Sequence, residues 1–214
     1  MMMGNYCHRC GGDAVAAKRS GTIATLRCTA CGETEETPVR PAYVVTGTGG
    51  AGKTAVSTEL PRLLAGCAVY DVDLIWCGTW DERNDNWLRI AHANGLCGLD
   101  TVFCGTVLPS GVDSLPNRCL VGDLLYLDLH CTDEDRDRRL RARWQHGQPD
   151  GEEVVHRHRA FAAELLRRAP EFAPPMPVVS TSGRSVAEAA ADVAAWVDGW
   201  RRDYERRPGV RQAG

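Results

Sequence analysis

The chain has 214 residues, 43% of them apolar, and a formal net charge of −3. That length suits one α/β domain with roughly forty residues left for an attachment. The charge gives no global attraction to nucleic acid, and no apolar run approaches the roughly 18 residues that cross a bilayer. The opening residues, Met1 to Cys7, lack the apolar core of a secretory signal, which points to the cytoplasm. Ten cysteines would mean a disulfide scaffold in a small secreted chain, but here four cluster near the start. The others, Cys67, Cys77, Cys97, Cys104, Cys119 and Cys131, sit among apolar residues, where a reduced cysteine serves as a small core residue.

Cys7-His8-Arg9-Cys10 and Cys28-Thr29-Ala30-Cys31 are two Cys-x-x-Cys pairs separated by seventeen residues, each soon followed by glycine. Two such loops present four thiolates to a closed, tetrahedral, structural zinc site, and the metal replaces a core that so short a segment cannot build. Thr22 to Arg27 between them reads as a strand, so residues 1–37 resemble a zinc ribbon. The basic residues here (Arg9, Lys18, Arg19, Arg27, Arg40) are offset by Asp13, Glu33, Glu35 and Glu36 and by the two-minus charge of a four-thiolate zinc centre, which is a poor phosphate-binding face. Glu33 to Pro41 reads as the linker into the main domain, residues 42–204.

Ala42 to Thr46 is a strand-like run that leads into Gly47-Thr48-Gly49-Gly50-Ala51-Gly52-Lys53-Thr54 and then into a helix-like segment, Ala55 to Leu64. Glycines at these positions let successive N–H groups converge on a polyphosphate at the positive end of the helix. Gly47, Gly49, Gly50, Ala51 and Gly52 form the cradle, Lys53 reaches the β- and γ-phosphates, and the Thr54 hydroxyl is placed for Mg²⁺. Ala68 to Tyr70 is the next buried strand and ends at Asp71-Val72-Asp73. Carboxylates at the carboxyl end of a parallel strand face the ligand edge of the sheet, one suited to the Mg²⁺ shell and the other to an acceptor hydroxyl.

This phosphate loop, followed by an Asp-x-Asp eighteen residues after the lysine, resembles the P-loop small-molecule kinases of the gluconate and shikimate kinase type. Val72-Asp73-Leu74-Ile75 is also similar to a segment of chloramphenicol phosphotransferases. Asp73 to Trp76, with Val102 to Pro109, is similar to bacterial nucleoside-kinase-like ATPases, a label that fixes no substrate. The resemblance spans most of residues 42–200. It implies a three-layer α/β/α fold around a central parallel sheet, ATP as donor, Asp71 on the magnesium side and Asp73 as the carboxylate that activates the acceptor.

Trp76, Trp80 and Trp87 occupy the place of an acceptor lobe, where they either stack a ring or close a helical cap over the sheet, and Arg89 is a candidate substrate contact. Thr101 to Cys104 is a strand without a terminal Asp, which weakens a motor ATPase reading, and no Asn-Lys-x-Asp of a GTPase occurs. Leu124 to Leu129 is another strand, followed by a helix with acids first (Asp133 to Asp135) and arginines after. Arg136, Arg138 and Arg141 read as its solvated face. Arg139 and Arg143, four apart on one face, resemble the lid arginines of nucleotide and shikimate kinases, one packing on adenine and the other reaching the transferred phosphate.

Gln145 to Gly151 reads as the mobile lid, and His156 and His158 on the next helix read as surface or packing residues. Val178 to Gly183 is the last strand and loop, Ser185 with Glu188 is a capping box, and residues 205–214 read as a frayed tail. Together these readings describe an ATP- and Mg²⁺-dependent kinase acting on a hydroxyl or phosphate of a small molecule, with a nucleoside- or nucleotide-like acceptor ahead of an antibiotic or sugar-like acid. A polynucleotide end kinase and a nucleotide-gated protein-binding module stand as rivals.

Overall fold

Alternation builds the first sheet. In β2 (Ile23–Cys28), Ala24, Leu26 and Cys28 turn inward while Ile23 and Arg27 stay exposed. The computed structural model, which describes residues 6–75, 78–144 and 151–206, pairs β2 antiparallel with β1 (Ala14–Ser20) and with β3 (Thr34–Pro38). The third strand corrects the expected linker: Thr34 to Pro38 belongs to the ribbon. Its Thr37 hydroxyl is buried and lies 2.9 Å from His92 Nε2 of the main body, a polar tie that a stretch of Thr, Glu and Pro does not announce.

The main sheet has five parallel strands in the order β5 (Cys67–Asp71), β6 (Asp100–Cys104), β4 (Ala42–Thr46), β7 (Leu124–His130), β8 (Val178–Ser180). β4 and β6 are buried along their whole length, as continuous apolar runs between two helical layers must be. Helices α1 (Lys53–Leu63) and α5 (Val186–Glu205) cover one face through Val56, Leu60, Ala190, Val193 and Val197. Helices α2 (Trp80–Leu96) and α4 (Glu152–Arg168) cover the other through Trp87, Leu88, Ala91 and Leu165, and α3 (Asp133–Trp144) packs beside α4. Both reciprocal bonds of a capping box are formed at Ser185/Glu188, and a second box at Thr79/Glu82 starts α2.

Parallel strands give the sheet two unlike edges. The phosphate loop and Asp71 leave from the carboxyl edge, whereas Arg40, Asp100 and Asp123 sit where β4, β6 and β7 begin. The ribbon docks at this second edge. Val39 and Leu120 share a small core with Cys7, Ala24, Leu26 and Cys28, Arg19 pairs with Asp123, and the Tyr204 hydroxyl donates to the Val39 carbonyl. Arg40 and Arg201 both pair with buried Asp100. About five residues of strand, roughly 17 Å, therefore separate the ribbon from the phosphate loop.

Of the scattered cysteines, Cys104 and Cys131 are buried and Cys67 and Cys119 half-buried, but Cys97 is exposed at the end of α2, contrary to its reading as core. Cys77, Trp76, lid residues 145–150 and tail residues 207–214 lie outside the described residues. No described helix is long and apolar enough to cross a membrane.

Candidate active site

The loop from Gly47 to Gly52 can follow β4 only because its first residue has no side chain. Gly47 has φ 142°, and a Cβ there would lie 2.5 Å from the Leu129 carbonyl oxygen. Lys53 Nζ folds back and donates to the carbonyls of Gly47 (2.9 Å) and Thr48 (2.8 Å), while the Thr106 hydroxyl also donates to Gly47 O at 3.0 Å. Thr54 stands exposed in the first turn of α1. Burial lowers the Lys53 pKa to about 8, with Asp73, Asp71 and Asp128 drawing it up and Arg143 pushing it down. A phosphate entering here raises that value again, since it supplies the anionic partner that offsets the loss of water.

Two arginines of α3 brace the loop from outside. Arg136, read from the sequence as solvated, is fully buried: Nε donates to Thr48 Oγ1 (3.1 Å), Nη2 to Cys131 O (2.8 Å), and it pairs with Asp133. Arg139 donates to Gly50 O (3.0 Å) and to Thr181 Oγ1 (2.9 Å) and O (3.2 Å). Arg138 and Arg141 do face solvent, paired with Asp135 and Glu152. Arg139 and Arg143 together line a cleft of about 390 Å³ with Gly52, Val56, Thr181 and Val186. Apolar at Ala55 and Val56 of α1 and Val186 and Ala189 of α5, and cationic at Arg139, Arg143 and Arg184, it has the size and lining of a planar heterocycle's site.

Across the loop, Asp71 ends β5, and its Oδ1 accepts the Asp73 N–H at 3.0 Å. This bond turns the chain so that the Asp73 carboxylate stands out, 74% exposed. Beneath it lies Arg83, whose side chain is 1% exposed, donating to Asp73 (3.4 Å), Thr106 O (3.4 Å) and Asn84 Oδ1 (3.0 Å). Its guanidinium rests 4.1 Å from the ring centroid of exposed Trp80. The tryptophans therefore divide: Trp80 stands exposed against Arg83, while Trp87 is core, donating to Val72 O (3.1 Å) and touching Tyr70 and Phe103. Arg89 is half-buried and donates to Asn86 at 3.5 Å.

No carboxylate follows β6, where Thr106 holds the loop instead, but one stands on the other neighbour of β4. Asp128 lies in register with Thr46, 1% exposed, and neither carboxylate oxygen nor the Thr46 hydroxyl has a hydrogen-bond partner. Burial pushes its carboxyl up to about 6 in spite of Lys53 and Arg136. With a raised pKa, the native state keeps a proton that the unfolded chain has already released, so stability falls as pH rises from about 4 to about 6. Asp128→Asn has no charge to bury. Relative to wild type it is expected to gain up to about 3 kcal/mol between pH 4 and pH 7, visible in thermal melts at both pH values. A difference between the two proteins that does not change with pH would contradict this.

At the far edge the four cysteine Sγ atoms lie within 4.8 Å of one another, with Cys7–Cys31 at 3.7 Å and Cys10–Cys28 at 3.5 Å. Those separations fit the edges of a tetrahedron with Zn–S near 2.3 Å. The Cys31 N–H donates to Cys28 Sγ, and this bond is the main cause that lowers the Cys28 thiol to about 6. Among the described residues this is the one group of three or more such donors close enough to share an ion. Thr54 and Asp71 offer hard oxygen donors, which suit a magnesium ion that keeps waters and phosphate oxygens as its other ligands.

Sequence reasoning missed Arg83, Arg136, Asp128 and His158. His158 Nδ1 accepts the Gly49 N–H at 3.3 Å, so a residue read as packing lies directly on the phosphate cradle. The only signal in the sequence was its place a short way after the lid, which singles out no one residue of α4.

No protein-family model and no curated protein matches the chain. Among solved structures, a gluconokinase from Sinorhizobium meliloti 1021 superposes with a TM-score of 0.51 at 17% identity, covering 76% of this chain and 97% of that one. A shikimate kinase from Acinetobacter baumannii in complex with shikimate (TM-score 0.44, 17% identity, 78% and 96% coverage) is also similar. So is a deoxyadenosine kinase from M. mycoides with bound dCTP (0.44, 15%, 73% and 99%). The chain thus has the P-loop kinase fold, three layers around a central parallel sheet, extended at its amino end by a four-cysteine ribbon.

Proposed function

We propose that the protein is an ATP- and Mg²⁺-dependent phosphotransferase acting on a small molecule. The observation that carries this reading is a placement: the Gly47–Lys53 loop, with Lys53 Nζ bound to its carbonyls, and the Asp71/Asp73 pair at the end of β5 stand at the same carboxyl edge of one parallel sheet. ATP supplies the phosphoryl group, with Mg²⁺ to neutralise its oxygens. Backbone N–H groups from Gly49 to Lys53 hold the phosphates, and Thr54 and Asp71 hold the metal. Arg139 borders the base in its cleft. Lys53 and Arg143 stabilise charge on the transferring group, and Asp73 orients and deprotonates the acceptor hydroxyl. Zinc at Cys7, Cys10, Cys28 and Cys31 is structural, and four grouped thiols suit the reducing cytoplasm.

A nucleoside-like acceptor comes first, because the exposed Trp80 ring beside Asp73 and Arg83 offers a stacking surface next to a hydrogen-bonding one. A sugar acid or antibiotic comes second, in keeping with the gluconokinase likeness. A ribbon that held a polynucleotide would need to reach the phosphates, and it docks at the opposite edge of the sheet. ADP formation across nucleosides, nucleotides, sugar acids, aminocyclitols and short oligonucleotides tests the reading. One acceptor class is expected to raise turnover far above the acceptor-free rate. Equal slow turnover with every compound would overturn it in favour of a nucleotide-gated module.

A further inference from the structure

His158 occupies a place that a phosphate needs. Its Nδ1 accepts the Gly49 N–H at 3.3 Å, and its ring lies 2.8 Å from where a Gly49 Cβ would stand, so the imidazole is stacked against the cradle itself. A phosphate oxygen bound to the same N–H would sit almost where Nδ1 now sits.

The charged groups that act on the imidazole are cations from every neighbouring element: Lys53 of α1, Arg136 and Arg143 of α3, and Arg157 of α4. With burial as the larger cause, they hold its pKa below the ordinary value and keep it neutral in the empty site. Its Nδ1 lone pair is thus the acceptor that fills an electropositive hollow until an anion arrives.

The helix that carries it is not free to withdraw. Val155, Ala162 and Leu165 are buried. Arg159 pairs with Asp137, and Glu152 accepts two bonds from Arg141, which fastens α4 to α3. α3 is in turn fastened to the loop by Arg136 and Arg139. An incoming phosphate therefore displaces the ring by rotation of its side chain, within hydrogen-bond reach of the phosphate, and not by removal of the helix.

On the reading that this loop binds a nucleoside triphosphate, we infer that His158 is a phosphate ligand by exchange: it cedes the Gly49 N–H, takes a proton from solvent and, as imidazolium, donates to the phosphate that displaced it. The proton balance is explicit, one proton taken up per nucleotide bound and none transferred within the site. The anion offsets both the burial and the cations that kept the ring neutral.

Isothermal titration with Mg²⁺ and the non-hydrolysable AMP-PNP, near neutral pH in two buffers of different ionisation enthalpy, reads that proton directly. Wild type is expected to take up most of one proton per nucleotide. His158→Gln is expected to lose that uptake and bind roughly tenfold or more weakly. His158→Arg, which brings its own charge, is expected to recover most of the affinity without the uptake. Lys53 and the nucleotide itself contribute alike to wild type and His158→Gln, whose residue 158 is neutral in the empty site, so the uptake is read from that pair; His158→Arg adds a cation beside Lys53 and is compared for affinity alone. Equal proton uptake in wild type and His158→Gln, or tighter binding by the variant, would overturn the inference and make His158 only a plug. Absence of nucleotide binding by wild type would overturn the phosphate-site reading itself, and this inference with it.

Discussion

Asp73→Asn is expected to keep its affinity for Mg²⁺-ATP within about threefold and to lose about 10²–10⁴-fold in kcat, the range that removal of a positioned general base gives. The two effects separate because Asp73 and the phosphate cradle belong to different elements. The carboxylate stands on the turn after β5, 74% exposed and held by Arg83, whereas the cradle is held by Lys53, Thr106, Arg136 and Arg139. An amide still accepts a hydrogen bond from the acceptor hydroxyl but takes no proton from it. Initial rates at saturating acceptor, with nucleotide affinity measured by titration, check both halves. A variant whose kcat falls less than about threefold would remove Asp73 from the chemistry.

The second large effect concerns the metal. Cys28→Ser is expected to abolish zinc binding and to lower the melting temperature by roughly 6–12 °C, the shift that about 3 kcal/mol gives in a chain of this size. The core of the ribbon is four residues, Cys7, Ala24, Leu26 and Cys28, capped by Val39 and Leu120 of the main body. Without the ion, that apolar area is too small to offset the ordering of three strands. Leu120 lies just before β7 and Val39 just before β4, so melting the ribbon also exposes the amino edge of the central sheet. The phosphate loop lies at the opposite edge, and nucleotide affinity at low temperature should change by less than about twofold. Metal analysis, thermal melts and titration together test this. A zinc-free variant with an unchanged melt would show that the cysteines do not hold a structural ion.

The elements that sequence made legible are those written in neighbouring residues. Gly47 to Thr54, the two Cys-x-x-Cys pairs and the Ser185/Glu188 box each sit within one short segment, and the structure gives each the expected local form; Asp71-Val72-Asp73 is equally local, but only Asp71 keeps the strand conformation and Val72 to Leu74 forms a 3-10 turn. What stayed hidden depends on strand order and on contacts far apart in the chain. Asp128 joins the loop only because β7 is the neighbour of β4. His158 meets Gly49 across 109 residues, and Arg136 meets Thr48 across 88. A charge-rich helix reads as a solvated face until the fold turns one arginine of it inward. Trp80 and Trp87 are alike in sequence and lie on one helix, yet only the first remains outside the core, because Trp87 falls on the stripe that packs against Phe103. β3 was missed because Thr34 to Pro38 carries no apolar alternation, its pairing being supplied by β2.

Phosphoryl transfer itself is tested most directly by following the label of γ-labelled ATP, in the presence of Mg²⁺, into a small-molecule product, with Lys53→Met in parallel. Label is expected in a product that forms only with the acceptor class identified by ADP formation, at a rate that falls by at least about 10²-fold in the variant, which lacks the ammonium held at the loop. Label released only as free phosphate, at a rate indifferent to every acceptor and to Lys53, would contradict a kinase built on this site.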